Sequence, residues 1–148
     1  MKKITFAILG MGNRGTAYAS KLLKYPEEAQ VVAMADNRRV RLDAANKHLH
    51  LPEEMLFDGA DSILAQPKLA DYMIIATQDA QHKAHALKAM ELGYDLLLEK
   101  PISPSAQECR DIEALATQRN RHVVVCHVLR YTVFYQKLKE LIDAGKVK

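Results

Sequence analysis

Gly10, Gly12 and Gly15 stand in the spacing G-x-G-x-x-G within GMGNRG, directly after the apolar run Ile4 to Leu9. A strand that turns there into a helix leaves backbone amides without intrahelical partners at the helix start, where the helix dipole helps them hold phosphate charge. In that arrangement Gly10 makes the tight turn, Gly12 lets the backbone approach a pyrophosphate, and Gly15 lets helix and strand pack closely. Asp36 follows Gly15 by 21 residues, at the end of a second apolar run, Val31 to Ala35. A carboxylate at that point accepts hydrogen bonds from adenosine ribose hydroxyls and repels a 2′-phosphate. Arg38 and Arg39 come next, and either guanidinium would offset a 2′-phosphate or stack on adenine. The expected cofactor is therefore NAD, with NADP as the alternative. Asp36 is also placed to cap a helix starting near Arg38, a role compatible with the first.

Further along, Thr77, Asp79 and His82 follow the apolar run Tyr72 to Ala76, at the edge of a parallel sheet where open α/β folds hold their ligands. His82 and His85 are three residues apart on one helix, but no other cluster offers complementary ligand spacing, so no metal is expected. Glu99, Lys100 and Pro101 follow the run YDLLL, so a carboxylate and an ammonium emerge together at the same edge. From there Lys100 could donate a proton or hydrogen bond to a substrate oxygen beside a nicotinamide, with Glu99 and burial shaping its pKa. Read from the local residues alone, a surface ion pair is the stronger account of Glu99 and Lys100.

The elements that must position these groups are legible as short apolar runs alternating with helical spacing, the pattern of a parallel sheet with helices on both faces. Strands are expected at Ile4 to Leu9, Val31 to Ala35, Tyr72 to Ala76, Tyr94 to Leu98 and His122 to Cys126, with a short one at Leu56-Phe57. Helices are expected at about Asn13 to Tyr25, Arg38 to Leu49, Ala60 to Gln66, Asp79 to Leu92 and Phe134 to Ala144. One more starts after Pro101, with Ser103 as N-cap and Pro104 at the first helical position. Pro52, Gly59 and Pro67 interrupt the pattern over 50–70, where the reading is thinnest.

With 148 residues, 49% of them hydrophobic, the chain is long enough to bury a sizeable core and too apolar to be disordered. A net charge of +3 is too small to point to nucleic acid, and no apolar run has the length of a membrane span. Cys109 and Cys126 cannot make a disulfide framework; they read as buried thiols of a reducing, cytoplasmic compartment.

GMGNRG, the Ala35-Asp36 strand end, ATQDAQH, LGYDLLLEKP and CHVLRY occur in one order and spacing, and in this the chain resembles the N-terminal half of the glucose-fructose oxidoreductase, inositol dehydrogenase and MocA (Gfo/Idh/MocA) family. The resemblance runs from about Ile4 to Lys148. It implies a Rossmann-type, doubly wound domain at 1–126 and a connecting segment with a helix at 127–148, leading into a second, substrate-holding domain absent from this chain. It implies that Gly10, Gly12, Asn13, Arg14 and Gly15 surround the pyrophosphate, that Asp36 meets the adenosine ribose, and that Thr77, His82, Glu99 and Lys100 lie near the cofactor, with Arg38 a further cofactor-binding candidate from its place beside Asp36. Gln78 and Asp79 replace the family's usual Pro and Asn in that loop. Lys100 would be the acid/base, Pro101 would follow a cis peptide bond, and Arg130 and Tyr131 would face the substrate.

The expected function is hydride transfer between a nicotinamide cofactor and a carbinol or carbonyl carbon of a sugar or polyol. The full-length protein is expected to form a homo-oligomer through the further domain, and these 148 residues to be inactive alone. The alternatives are a non-catalytic dinucleotide sensor, which has no need of Lys100, and a glycosidase or lyase that oxidises its substrate only transiently.

Overall fold

The computed structural model describes residues 2–147, so Lys148, the last residue of the expected connecting segment, lies outside the described residues. Its sheet has six strands, β1 (Ile4–Leu9), β2 (Ala29–Ala35), β3 (Leu56–Phe57), β4 (Tyr72–Ile75), β5 (Asp95–Leu98) and β6 (Val123–Val125). They lie in the order β3-β2-β1-β4-β5-β6, and every neighbouring pair is parallel.

Period-two alternation sends successive side chains of each strand to opposite faces, and two cores result. Ala7, Leu9, Ala33, Ala35, Met73, Ile75, Leu96 and Leu98 face one, which α3 (Ala60–Leu64), α4 (His82–Glu91) and α5 (Ala106–Arg119) cover with Ile63, Ala86, Met90 and Ile112. Ile8, Met34 and Ile74 face the other, beneath Ala19 of α1 (Asn13–Leu22) and Leu42 and Ala45 of α2 (Arg39–Leu49). Because both faces are covered, the central strands are apolar throughout, and the sequence shows them as unbroken runs. A register shift between Phe6 and Ala7 leaves Val32 of β2 unpaired as a bulge. The remaining helix, α6 (Val133–Asp143), buries none of its residues.

The sheet reverses direction between β1 and β4: β2 and β3 build out to one side, and β4, β5 and β6 to the other. Loops leaving the carboxyl ends of β1 and β4 therefore diverge and open a crevice, and that crevice is where Gly10, Asp36 and Thr77 emerge, whereas Lys100 follows β5 and is not part of its lining.

Several boundaries differ from those expected. The first helix stops at Leu22 rather than Tyr25, because Lys24 and Tyr25 donate to Lys21 and Leu22 in tighter three-residue turns. The fourth begins as a 3-10 turn at Asp79–Gln81 before α4 proper. Ser103 does not cap α5: the cap position is Ser105, and Ser103 Oγ accepts the Ser105 N–H at 3.1 Å while donating to Glu108. Pro104 disfavours helical geometry at the residue before it, which moves the start of the helix forward. Within 50–70, the short strand and short helix are both present, and Leu69 N–H donates to the hydroxyl of the fully buried Tyr94 at 2.8 Å, tying the segment to the core.

Gly10 has φ +94°, outside the range comfortable for other residues, and a Cβ there would lie 2.6 Å from the Ala76 carbonyl oxygen. A Cβ on Gly15 would lie 2.0 Å from the Gly10 carbonyl oxygen, a clash with backbone that no rotamer relieves. Gly15→Ala should therefore destabilise the protein by about 3 kcal/mol, lowering Tm by about 9 °C in a thermal melt. Gly12→Ala should leave Tm nearly unchanged, since Gly12 has extended backbone and open space at its Cβ position.

Candidate functional site

At the carboxyl ends of β1, β2 and β4 lies a cleft of about 660 Å³, walled by Gly10, Gly12, Asn13, Arg14, Asp36 and Thr77, with Asn37, Arg41, Gln81 and His85 among its further lining. The first-turn amides of α1 have no intrahelical carbonyl to bond, and the helix begins at this wall. Gly12, extended and with no atom closer than 4.0 Å to its Cβ position, leaves a space that any larger side chain would fill. Gly15 is buried and acts through packing rather than by lining the cleft.

Asp36 is 5% exposed. Its Oδ2 accepts the Met11 N–H at 2.8 Å and its Oδ1 the Arg38 N–H at 2.9 Å, so one carboxylate locks the glycine turn to the end of β2. Arg41 Nη1 approaches the same Oδ2 at 3.3 Å. The Arg38 guanidinium is not part of the cleft wall, and that residue meets the site through its backbone N–H.

Glu99, 4% exposed, is the second buried carboxylate. The Tyr18 hydroxyl donates to its Oε1 at 2.5 Å, Arg14 Nε donates to the same atom at 2.7 Å, and the Lys100 N–H donates to Oε2 at 3.1 Å. Burial works to raise the Glu99 pKa, but the hydrogen bonds from Tyr18, Arg14 and the Lys100 amide outweigh it and hold the carboxyl below its ordinary value of 4.5. The Glu99 contact in turn raises the Arg14 pKa, and burial pushes up both the Tyr18 hydroxyl and the Cys126 thiol beside it. Glu99 thus pairs with Arg14 rather than with Lys100, which is exposed and whose ammonium makes no hydrogen bond among the described residues.

His82 is fully buried and stands behind the cleft wall. Its Nδ1 lies 2.7 Å from the Pro101 carbonyl oxygen and its Nε2 3.2 Å from that of Thr77, so the ring spans the loops after β4 and β5. The shorter contact favours the proton on Nδ1, donated to Pro101. His85 Nδ1 lies 3.0 Å from Thr77 Oγ1, and burial lowers the His85 pKa, keeping the ring neutral. The two histidines are thus engaged with backbone and hydroxyl groups, and among the described residues no three His, Cys, Asp or Glu side chains gather as a metal site. The Lys100-Pro101 peptide bond is cis. Arg130 and Tyr131 lie on an exposed 3-10 turn away from the cleft wall. Cys126 is buried and Cys109 only partly so; both are free thiols.

The sequence reading missed Tyr18 and Arg41. Tyr18 is four residues beyond Arg14 on α1, a helical neighbour that spacing alone could have flagged. Arg41 is the third residue of α2, two past Arg39 and three past Arg38, the arginines that adjacency to Asp36 brought forward.

A doubly wound parallel sheet with a glycine turn and a buried carboxylate at its switch point defines a Rossmann-type dinucleotide-binding domain. The oxidoreductase family with an NAD-binding Rossmann fold, Gfo/Idh/MocA, matches residues 4–127, and the chain belongs to that family. Inositol 2-dehydrogenase 3 of Saccharopolyspora erythraea is 28% identical over 145 residues, covering 97% of this chain and 42% of the relative. The inositol 2-dehydrogenase of Agrobacterium fabrum is 26% identical, covering 95% and 41%. Among solved structures, the scyllo-inositol dehydrogenase of Lactobacillus casei with NAD(H) and scyllo-inositol bound superposes with a TM-score of 0.84 at 24% identity, covering 99% of this chain and 42% of that one. The WlbA dehydrogenase of Chromobacterium violaceum, in complex with NADH and UDP-GlcNAcA, gives 0.86 at 23% identity, covering 97% and 41%. The chain thus spans less than half the length of the relatives it matches. No helix among the described residues is long and apolar enough to cross a membrane.

Glu99 generates a test of this geometry. A carboxyl whose pKa is lowered by folding contributes stability that is complete above its ordinary value of 4.5 and is lost as pH falls through the lower folded value. The Tm difference between the unmodified protein and Glu99→Gln should therefore be largest above pH 5 and shrink steadily on acidification to about pH 3, as melts across that range will read.

Proposed function

We propose that the chain supplies the cofactor half of an NAD-dependent dehydrogenase that moves hydride between a nicotinamide and a CH–OH carbon of a sugar or polyol. The observation that carries the reading is one cleft in which the α1 amides, the open Gly12 surface and the buried Asp36 carboxylate meet. The residues fit a dinucleotide: amides for a pyrophosphate, carboxylate oxygens for ribose hydroxyls, and a gap at Gly12 that only glycine leaves.

When bound, the nicotinamide supplies the hydride acceptor. The chain's own residues bind and orient it. The α1 amides hold negative charge, Asp36 accepts from the adenosine ribose, and Thr77, steadied by the contact of its hydroxyl with His85, forms the wall beyond the glycine turn. Glu99 neutralises Arg14 and fixes the Lys100 backbone, leaving the Lys100 ammonium free to exchange a proton with the substrate oxygen.

We read 127–148 as a connecting segment, supported by an α6 with no buried residue. The substrate determinants, including any meeting Arg130 and Tyr131, we assign to the length that the relatives have beyond this match, together with the contacts of a homo-oligomer. Two free thiols fit a reducing, cytoplasmic setting.

Calorimetric titration tests the proposal. The chain should bind NADH, Gly12→Val should abolish binding while retaining the fold, and Lys100→Ala should retain binding within about threefold, since its ammonium is assigned to the reacting carbon and not to the phosphates. Unchanged affinity in Gly12→Val would overturn the cleft assignment.

A further inference from the structure

Thr77 stands directly against the glycine turn: a Cβ on Gly10 would lie 3.0 Å from the Thr77 backbone nitrogen. Thr77 also lines the cleft, which puts a hydroxyl on the stretch of wall next to that turn. A hydroxyl has one proton to give and lone pairs to offer, and the neighbour it shares a hydrogen bond with decides which of them is left for a ligand. For Thr77 that neighbour is His85, whose Nδ1 lies 3.0 Å from Oγ1. His85 is four residues past Gln81, the N-cap of α4, so the two fall on one side of the helix start, and both line the cleft.

The titratable groups that act on the ring are Asp61, from the first turn of α3, and His82, three residues back on α4. Asp58 shares that part of the wall, and from α5, Asp111 is paired with Lys83 at 2.8 Å. Burial works hardest against a charged ring and His82 adds to it, while Asp61 favours the charge, so the His85 pKa lies below its ordinary 6.5. The ring is neutral at neutral pH and gains a proton on acidification.

We propose that His85 is a positioning residue that sets the polarity of the Thr77 hydroxyl beside the glycine turn. Neutral, with its proton on Nε2, the ring takes the Thr77 O–H at Nδ1, and the cleft is offered only oxygen lone pairs, which repel a phosphate. When the ring gains one proton from solvent, Nδ1–H donates to Oγ1 instead, and the Thr77 O–H is released to donate to a phosphate oxygen. The inference rests on the dinucleotide reading of the cleft and makes affinity for that ligand rise as pH falls. A ligand that prefers the protonated ring raises the His85 pKa on binding, so tightening begins at the bound value and is complete below the free one.

Calorimetric titration with NAD between about pH 5.5 and 8, the range in which histidine is the side chain that ordinarily titrates, reads the assignment. The unmodified chain should bind about tenfold more tightly at the acid end, the scale of one hydrogen bond to a charged group. His85→Gln and Thr77→Val should each give a flat profile, with circular dichroism checking that both are folded. Thr77→Ser, which keeps the hydroxyl, should keep the slope. A slope that survives in Thr77→Val would mean that the imidazolium acts on the ligand directly, and would overturn the proposal. So would a slope that survives in His85→Gln, or a flat or reversed profile in an unmodified chain that binds NAD. Binding at no pH would instead remove the dinucleotide reading itself.

Discussion

The contact on which the cleft depends is the approach of α1 to the turn that precedes it. At Gly15 the helix comes so near the Gly10 carbonyl that a single methyl group has nowhere to go. That closeness brings the first-turn amides to the end of β1, and it aims the helix so that Arg14 and Tyr18 reach across toward β5. A looser junction would keep the sheet and lose the alignment of the amides with the switch point.

Two buried carboxylates turn this backbone arrangement into a site. Asp36 joins β2 to the glycine turn, and Glu99 joins the end of β5 to α1. Each is satisfied by several donors, which is what makes a buried negative charge tolerable. Their consequences differ. Asp36 faces the cleft and keeps acceptor capacity for a ligand, whereas Glu99 spends its oxygens on Tyr18, Arg14 and the Lys100 amide and works as a joint.

The strands and the glycine turn were legible because their signals are local: unbroken apolar runs for a sheet covered on both faces, and three glycines at a fixed spacing between a strand and a helix. Helix ends were less so, since the stop at Leu22 and the delayed start at Ala106 reflect competition between turn geometries that composition does not rank. Partnerships were the least legible. Glu99 beside Lys100 suggested an ion pair, but its partner Arg14 is 85 residues away and becomes a neighbour only when β5 and α1 meet. Arg38 and Arg39 stood nearest Asp36 in sequence, yet helical phase puts Arg41 at the carboxylate and Arg39 on Glu53. His82 was expected at the cleft and stands one layer behind it.

That second-layer position gives the imidazole a mechanical meaning. A flat, rigid ring with one nitrogen at the Thr77 carbonyl and the other at the Pro101 carbonyl is a fixed-length strut between two loops carried by adjacent strands. One loop forms the wall of the cleft and the other carries Lys100. With its one proton given to Pro101 the ring meets Thr77 by contact alone, so it works as a spacer: the cleft wall and the loop bearing Lys100 cannot draw closer there than the width of one imidazole.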